Sequence, residues 1–135
     1  MMLRRGFPIL GLSLAFLAGC GGDGEREADA EKPVSASAAI SEIAAVRSGL
    51  DEALSTYESG DAEQADKQVG DAYLEHFELV EGPLEEVDAE LNEKLEDSIR
   101  EELREKMQAD APQTEVAKLV SDIKADLDTA EAALR

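Results

Sequence analysis

The stretch Ala72–Glu86 concentrates side chains that could bind a metal ion. It contains the chain's only histidine, His76, together with one tyrosine and five glutamates. On a helix, Glu78 and Glu81 are three residues apart and therefore share a face. Paired carboxylates can hold a hard cation such as iron when neighbouring helices contribute more oxygen ligands. Glu78 and Glu81 are therefore the predicted metal ligands, and iron is the candidate ion.

The same residues also fit an ordinary acidic helix end. Gly82 and Pro83 follow directly, and His76 would be exposed near a helix C-terminus, where the helix dipole favours its charged form. The sequence argues against a closed di-iron centre, because helix-bundle sites of that kind usually repeat a Glu-x-x-His element on two helices. This chain has one histidine and no such element. An open carboxylate site and a plain helix end both remain as alternatives.

Four amphipathic stretches with helical spacing follow one another from Ala38 to Arg135. Helix stops and starts separate them at Gly60-Asp61, at Gly82-Pro83 and over Asp110–Thr114. We expect an all-α fold, an antiparallel up-and-down four-helix bundle, because short connections make successive helices antiparallel neighbours. The residues expected to face inward are Ile40, Ile43, Val46, Leu50, Ala53, Leu54, Tyr57, Ala62, Ala65, Val69, Ala72, Tyr73, Phe77, Val80, Leu84, Val87, Leu91, Leu95, Ile99, Leu103, Met107, Val116, Leu119, Val120, Ile123, Leu127, Ala130 and Leu134.

The third stretch has an unusual spacing. Its apolar residues from Leu91 to Met107 recur at every fourth position, and such a step drifts by about 40° per repeat on a 3.6-residue helix. Either the stripe winds around the bundle, or the helix is interrupted near Asp88-Ala89. Its charges predict a solvated face built from favourable i,i+4 pairs. These pairs are Glu90 with Lys94, Glu96 with Arg100 and Glu102 with Lys106.

The N-terminal residues have the pattern of a secretory signal. Two arginines precede an apolar run from Phe7 to Ala18, which is too short for a permanent membrane span. The sequence Leu17-Ala18-Gly19-Cys20 matches a bacterial lipobox, in which the cysteine becomes the lipidated mature N-terminus. We interpret residues 1–19 as the signal peptide, residues 20–37 as lipidated Cys20 with a flexible tether, and residues 38–135 as the bundle. Gly21 after Cys20 favours a periplasm-facing anchor in the outer membrane over one in the inner membrane.

The net charge restricts the class of partner. The chain has 32 acidic and 13 basic residues, a formal net charge of −19. Nucleic acid is excluded as a partner, because a phosphate backbone requires a basic surface. Cations or a basic protein face are the natural partners. We expect no enzyme, since the sequence has no Gly-rich phosphate loop and no nucleophile arranged with its single histidine.

A dispersed pattern of residues extends from the first helix to the last. Its positions are Tyr57-x-x-Gly60-Asp61, Ala65, Val69-x-x-Ala72-Tyr73-x-x-x-Phe77-Glu78-x-x-Glu81-x-x-Leu84 and Leu119-Val120-x-x-Ile123-x-x-x-Leu127-x-x-Ala130. This pattern resembles the extracytoplasmic helical domain of bacterial high-affinity iron permeases of the oxidase-dependent iron transporter type. The resemblance implies a free-standing lipoprotein form of that domain. The sequence departs from that family in two respects: we expect no membrane helices after Arg135, and the arginine-and-glutamate iron motif of the membrane part is missing.

Two functions follow from these observations. The first is an envelope lipoprotein that acts as a non-enzymatic accessory in iron uptake, contacts the membrane through Cys20 and works with an iron permease or another envelope protein. The alternative is a structural or interaction lipoprotein whose acidic bundle binds a basic partner without metal. The first function requires carboxylates that converge in three dimensions. The second requires only a charged surface.

Overall fold

The computed structural model describes residues 33–135, and this part of the chain is all-α, as predicted. Two π-helical segments, Tyr73–Phe77 and Ser98–Leu103, continue α2 into α3 and α3 into α4. None of the helices in this range is both long and apolar enough to cross a membrane. The predicted signal peptide, Cys20 and most of the predicted tether lie outside the described residues. The helices are α1 (Ala36–Glu58), α2 (Ala62–Ala72), α3 (Glu78–Asp97), α4 (Arg104–Gln108) and α5 (Gln113–Ala133).

The ends of the first helix follow from its capping residues. Ser35 accepts a hydrogen bond from the backbone N–H of Ala38, so α1 begins at Ala36, two residues before the predicted domain start. After α1, Gly60 has a φ of +98°, a left-handed conformation that glycine adopts without steric cost. Asp61 then caps α2 by accepting from the backbone N–H of Gln64. The predicted stop at Gly60-Asp61 is therefore confirmed.

The predicted helix break at Gly82-Pro83 is wrong. Pro83 lies inside α3, where it removes one backbone donor. Gly82, which has no Cβ, reduces the clash that a proline makes with the preceding residue. The backbone instead leaves the helical region at Asp88, with φ −156° and ψ 80°. The Asp88 carboxylate accepts from the N–H of Leu91 at 3.0 Å and caps the helical stretch that follows. The interruption expected near Asp88-Ala89 is thus the one that occurs.

The backbone kinks at Asp88, and the helices enclose one hydrophobic core. The α4 helix packs against α2, while α5 packs against α1 and α3. Most of the predicted inward residues are buried, but Val87 is 55% exposed. Val87 directly precedes the break, where the rotational phase of the helix is reset. Ile40 is only partly buried, and its neighbour Ala39 occupies the core instead.

The two π segments lie within the longest runs of four-residue spacing. A π-helical turn closes with i→i+5 hydrogen bonds and is therefore wider than an α-helical turn. A step of four residues consequently drifts less across such a turn, and every apolar residue of both runs is buried. The strict spacing is thus accommodated by local widening of the helix. The runs are Ala65, Val69, Tyr73, Phe77 and Leu91, Leu95, Ile99, Leu103, Met107.

Candidate functional site

Tyr73 and Glu81 form a hydrogen bond across two turns of the helix. The Tyr73 hydroxyl donates to Oε1 of Glu81 at 2.6 Å. Tyr73 lies in the first π segment with only 7% of its surface exposed, and Glu81 is half-buried. A buried phenol hydroxyl needs an acceptor, because an unpaired polar group in the core is costly. Glu81 meets that need from α3.

Arg100 connects this pair to the second π segment. Its guanidinium lies 5.9 Å from the centroid of the Tyr73 ring, within cation–π range. Its Nη1 also donates to Oε1 of Glu96 at 2.8 Å. Tyr73, Glu81, Glu96 and Arg100 are called the Tyr73 cluster below. It joins two π segments, a type of helix distortion that is frequent at functional sites.

The Tyr73 cluster shifts the proton affinity of two of its members. Burial raises the pKa of Glu81, and the charges of Glu96 and Glu78 add to this, while the Tyr73 hydrogen bond and Arg100 oppose it. Burial also raises the pKa of Tyr73 far above its ordinary value, with further contributions from Glu81. Tyr73 therefore keeps its proton and acts as a donor. Burial thus favours the protonated form of Glu81.

The predicted metal ligands occupy different surroundings. The Glu81 carboxylate faces Tyr73, whereas Glu78 is exposed. His76 is half-buried against α1, with Nδ1 2.8 Å from Oε2 of Glu42, instead of being exposed at a helix end. Within residues 33–135, no group of three or more His, Cys, Asp or Glu side chains is placed to hold a metal ion. Glu78 and Glu81 as iron ligands therefore stay a prediction.

The basic residues of the described chain are all used in internal ion pairs. Each lysine and arginine in residues 33–135 lies within 4.0 Å of a carboxylate. Of the three predicted i,i+4 pairs, only Glu96 with Arg100 forms. Lys94 instead contacts Asp126 on α5 at 2.8 Å, and Lys106 contacts Glu115 at 3.6 Å. These lysines thus connect helices to one another and leave nearby glutamates without a cation.

An unpaired acidic row results on the outer side of the third helical stretch. It consists of Glu93, Asp97, Glu101 and Glu105, all exposed and spaced by four residues. Their carboxylates make no ion pair or hydrogen bond within residues 33–135. Like charges at i,i+4 destabilise a helix. The acidic row therefore carries a repulsion that a cationic partner would relieve.

The sequence prediction missed the pairing of Tyr73 with Glu81 and the approach of Arg100. The available signal was a tyrosine within an inward-facing stripe, because a buried hydroxyl requires an acceptor within reach. Which of the five nearby glutamates accepts could not be read from the spacing. That choice depends on helix phase, which the π segment changes.

Comparison of the chain with protein-family models, with curated proteins and with solved structures gave no match.

Proposed function

We propose that this protein is an interaction domain carried by an envelope lipoprotein, and that its acidic surface binds a basic partner protein without catalysis. The observation that carries the proposal is the distribution of charge. The cations of the described residues are all used in internal pairs, whereas the acidic row has no partner there. Complementary charge on a partner would raise the rate of association and select against acidic or neutral surfaces.

The architecture that we propose for this domain is an antiparallel up-and-down four-helix bundle. Breaks at Gly60, Asp88 and Asp110 divide the described chain into four helical stretches. Asp110 has a φ of 52°, a left-handed conformation that aspartate tolerates in turns. Ion pairs between distant residues support this packing. Asp51 with Lys124 connects α1 to α5, and Asp66 with Arg104 connects α2 to α4.

A binding role fits the Tyr73 cluster better than a catalytic one. The Tyr73 hydroxyl is committed to Glu81, and burial keeps this phenol protonated by raising its pKa. Arg100 is held between the Tyr73 ring and Glu96. These contacts connect the two π segments. The accessory role in iron uptake stays a prediction from the resemblance, and it depends on Glu78 and Glu81.

The experiment compares two variants of equal charge, using a synthetic lysine-rich peptide as the cationic probe. In the row variant, Glu93, Glu101 and Glu105 become Gln and Asp97 becomes Asn. In the control variant, four other exposed glutamates, Glu58, Glu63, Glu75 and Glu85, become Gln. We expect the row variant to weaken peptide binding more than the control, most strongly at low salt. If both variants weakened peptide binding equally, net charge alone would explain the loss, and the proposal would be contradicted.

A further inference from the structure

A groove with an apolar floor lies at one end of the molecule. The start of α1, the first half of α3 and the end of α5 meet there and enclose about 600 Å³. Its apolar lining residues include Val34, Leu79, Pro83, Val87 and Leu134. This volume is enough for several side chains of a ligand. We call it the end groove.

The floor of the end groove is unusual for this surface. Only three large apolar side chains are exposed among residues 33–135, and two of them, Leu79 and Val87, line this groove. Leu79 is 41% exposed and Val87 is 55% exposed. With Pro83 between them, they follow one another at four-residue steps along α3. Contiguous exposed apolar residues bordered by polar ones are typical of binding surfaces.

The rim of the end groove is acidic. Glu78 and Glu86 line it, both are exposed, and neither carboxylate has an ion pair within the described residues. An occupant must therefore match an apolar floor between negative charges. A second copy of this acidic chain would place glutamate against glutamate, and an anionic lipid surface would also be repelled.

We propose that the end groove binds one face of a basic amphipathic helix from a partner protein. Apolar side chains of that helix would cover Leu79, Pro83 and Val87, and its lysines or arginines would contact Glu78 and Glu86. Helices of this kind dock into apolar grooves through residues at i, i+3, i+4 and i+7. The inference rests on the proposed function, since the partner is again basic, and adds a location and an apolar anchor.

The test uses the full-length protein and two synthetic peptides of equal positive charge. One peptide has leucine and lysine at amphipathic helical spacing, and the other has serine in place of each leucine. The groove variant carries Leu79→Ser and Val87→Ser. The control variant carries Leu74→Ser, because the Leu74 side chain is 60% exposed and does not line the groove. We expect the groove variant to bind the leucine–lysine peptide about tenfold more weakly, because two apolar contacts are lost. Leu74→Ser should bind it like the unmodified protein.

Several outcomes would overturn the inference. The first is unchanged peptide binding in the groove variant, and the second is an equal loss in Leu74→Ser. A concentration-dependent dimer that the groove variant abolishes would assign the groove to a second copy. Co-sedimentation with phosphatidylcholine vesicles that the groove variant abolishes would assign it to lipid. The serine–lysine peptide separates the two proposals, because it lacks the apolar anchor and binds through charge alone, so its binding would survive failure of the groove.

Discussion

Arg104 holds α4 against α2 by donating two hydrogen bonds to the carboxylate of Asp66, from Nε to Oδ1 at 2.8 Å and from Nη2 to Oδ2 at 3.3 Å. Gln108 adds a third at 3.1 Å. Arg104 and Asp66 are 38 positions apart in the chain, so this contact connects α2 to α4 across the break at Asp88. Bidentate pairing of this kind is specific to the planar guanidinium group.

Replacing Arg104 by Lys should destabilise the fold by about 1 kcal/mol, since one point charge cannot make both bonds and solvent screens the remainder. Urea unfolding followed by circular dichroism measures the change. Lys67→Ala removes the i,i+4 ion pair with Asp71 on α2. Both side chains of this pair are exposed, so the substitution should have the smaller effect on stability. A larger loss from Lys67→Ala would mean that the pair with Asp66 does not hold α4 against α2.

Glu81 should make stability depend on pH in a predictable direction. Burial raises the pKa of Glu81 in the folded protein, so the folded state binds its proton more tightly than the unfolded state. The contribution of Glu81 to the free energy of unfolding is fully present below its ordinary pKa of 4.5, and it is lost as the pH rises through the raised pKa of the folded protein. Glu81→Gln keeps an acceptor for Tyr73 without the charge. The variant should be more stable than the unmodified protein at neutral pH, and the difference should shrink on acidification.

The control for this pH experiment is Glu85→Gln, which removes one exposed charge of the same helix. Both variants reduce the general repulsion of a chain with net charge −19 to the same extent. Only Glu81→Gln should change the slope of unfolding free energy against pH above 4.5. Parallel curves for the two variants would show that Glu81 is not selectively desolvated.

The packing register can be tested at two fully buried leucines. Leu95 and Leu127 have no exposed surface, and their replacement by Ala should each lower the free energy of unfolding by about 2 to 5 kcal/mol. Val87→Ala should change it little, because more than half of that side chain is exposed. Thermal or urea unfolding measures all three. A cost near zero at both leucines would refute the core described above.

Iron should stabilise the protein no more than magnesium does, if the acidic surface acts by charge alone. Both ions screen the carboxylates and should raise the melting temperature to similar extents. Changing Glu78 and Glu81 together to Gln should leave the two shifts alike. An iron-specific rise that this double variant abolishes would instead favour the iron-uptake role, with Glu78 and Glu81 as ligands.

Cys20 provides the test of the proposed anchor. If it becomes the lipidated mature terminus, Cys20→Ser should leave the precursor uncleaved by the lipoprotein peptidase and without acyl chains. Mass spectrometry of the protein recovered from membranes measures both properties. A mature protein that begins at another residue and carries no lipid would rule out the lipoprotein assignment.

The sequence was sufficient for the helical class, the core stripes and the stop at Gly60-Asp61, because each depends on local spacing or capping. It was insufficient for the second helix break. Pro83 is the stronger sequence signal for a helix end, but the break lies at Asp88, whose carboxylate caps the helical stretch that follows. Two of the predicted i,i+4 pairs, Glu90 with Lys94 and Glu102 with Lys106, do not form for a related reason. Lys94 and Lys106 contact carboxylates on α5 instead. Contacts between helices cannot be read from the spacing of residues along one helix.

The Tyr73 cluster was beyond prediction for a geometric reason. Glu78 and Glu81 lie about one helical turn apart. Which of them reaches Tyr73 depends on the rotational position of α3 about its axis, and the π segment sets that position. Arg100 arrives from the second π segment, whose position is set only when the chain folds back. Both contacts therefore depend on tertiary structure.

The π segments also determine which changes in chain length this protein can tolerate. Each wide turn takes up residues that an α-helical turn would not accommodate. Removing one residue from Tyr73–Phe77 would let this turn close with i→i+4 hydrogen bonds, so the rotational phase of the helix up to Asp88 would largely be kept. Removing one residue from Glu78–Val80 at the start of α3 would instead rotate the residues up to Asp88 by about 100° about the helix axis. Glu81 would then leave Tyr73, and Leu84 would leave the core. Deletions in the α-helical part are therefore constrained by rotation, whereas those at Gly60 or Asp110, where the helix has already ended, change only the length of a connection.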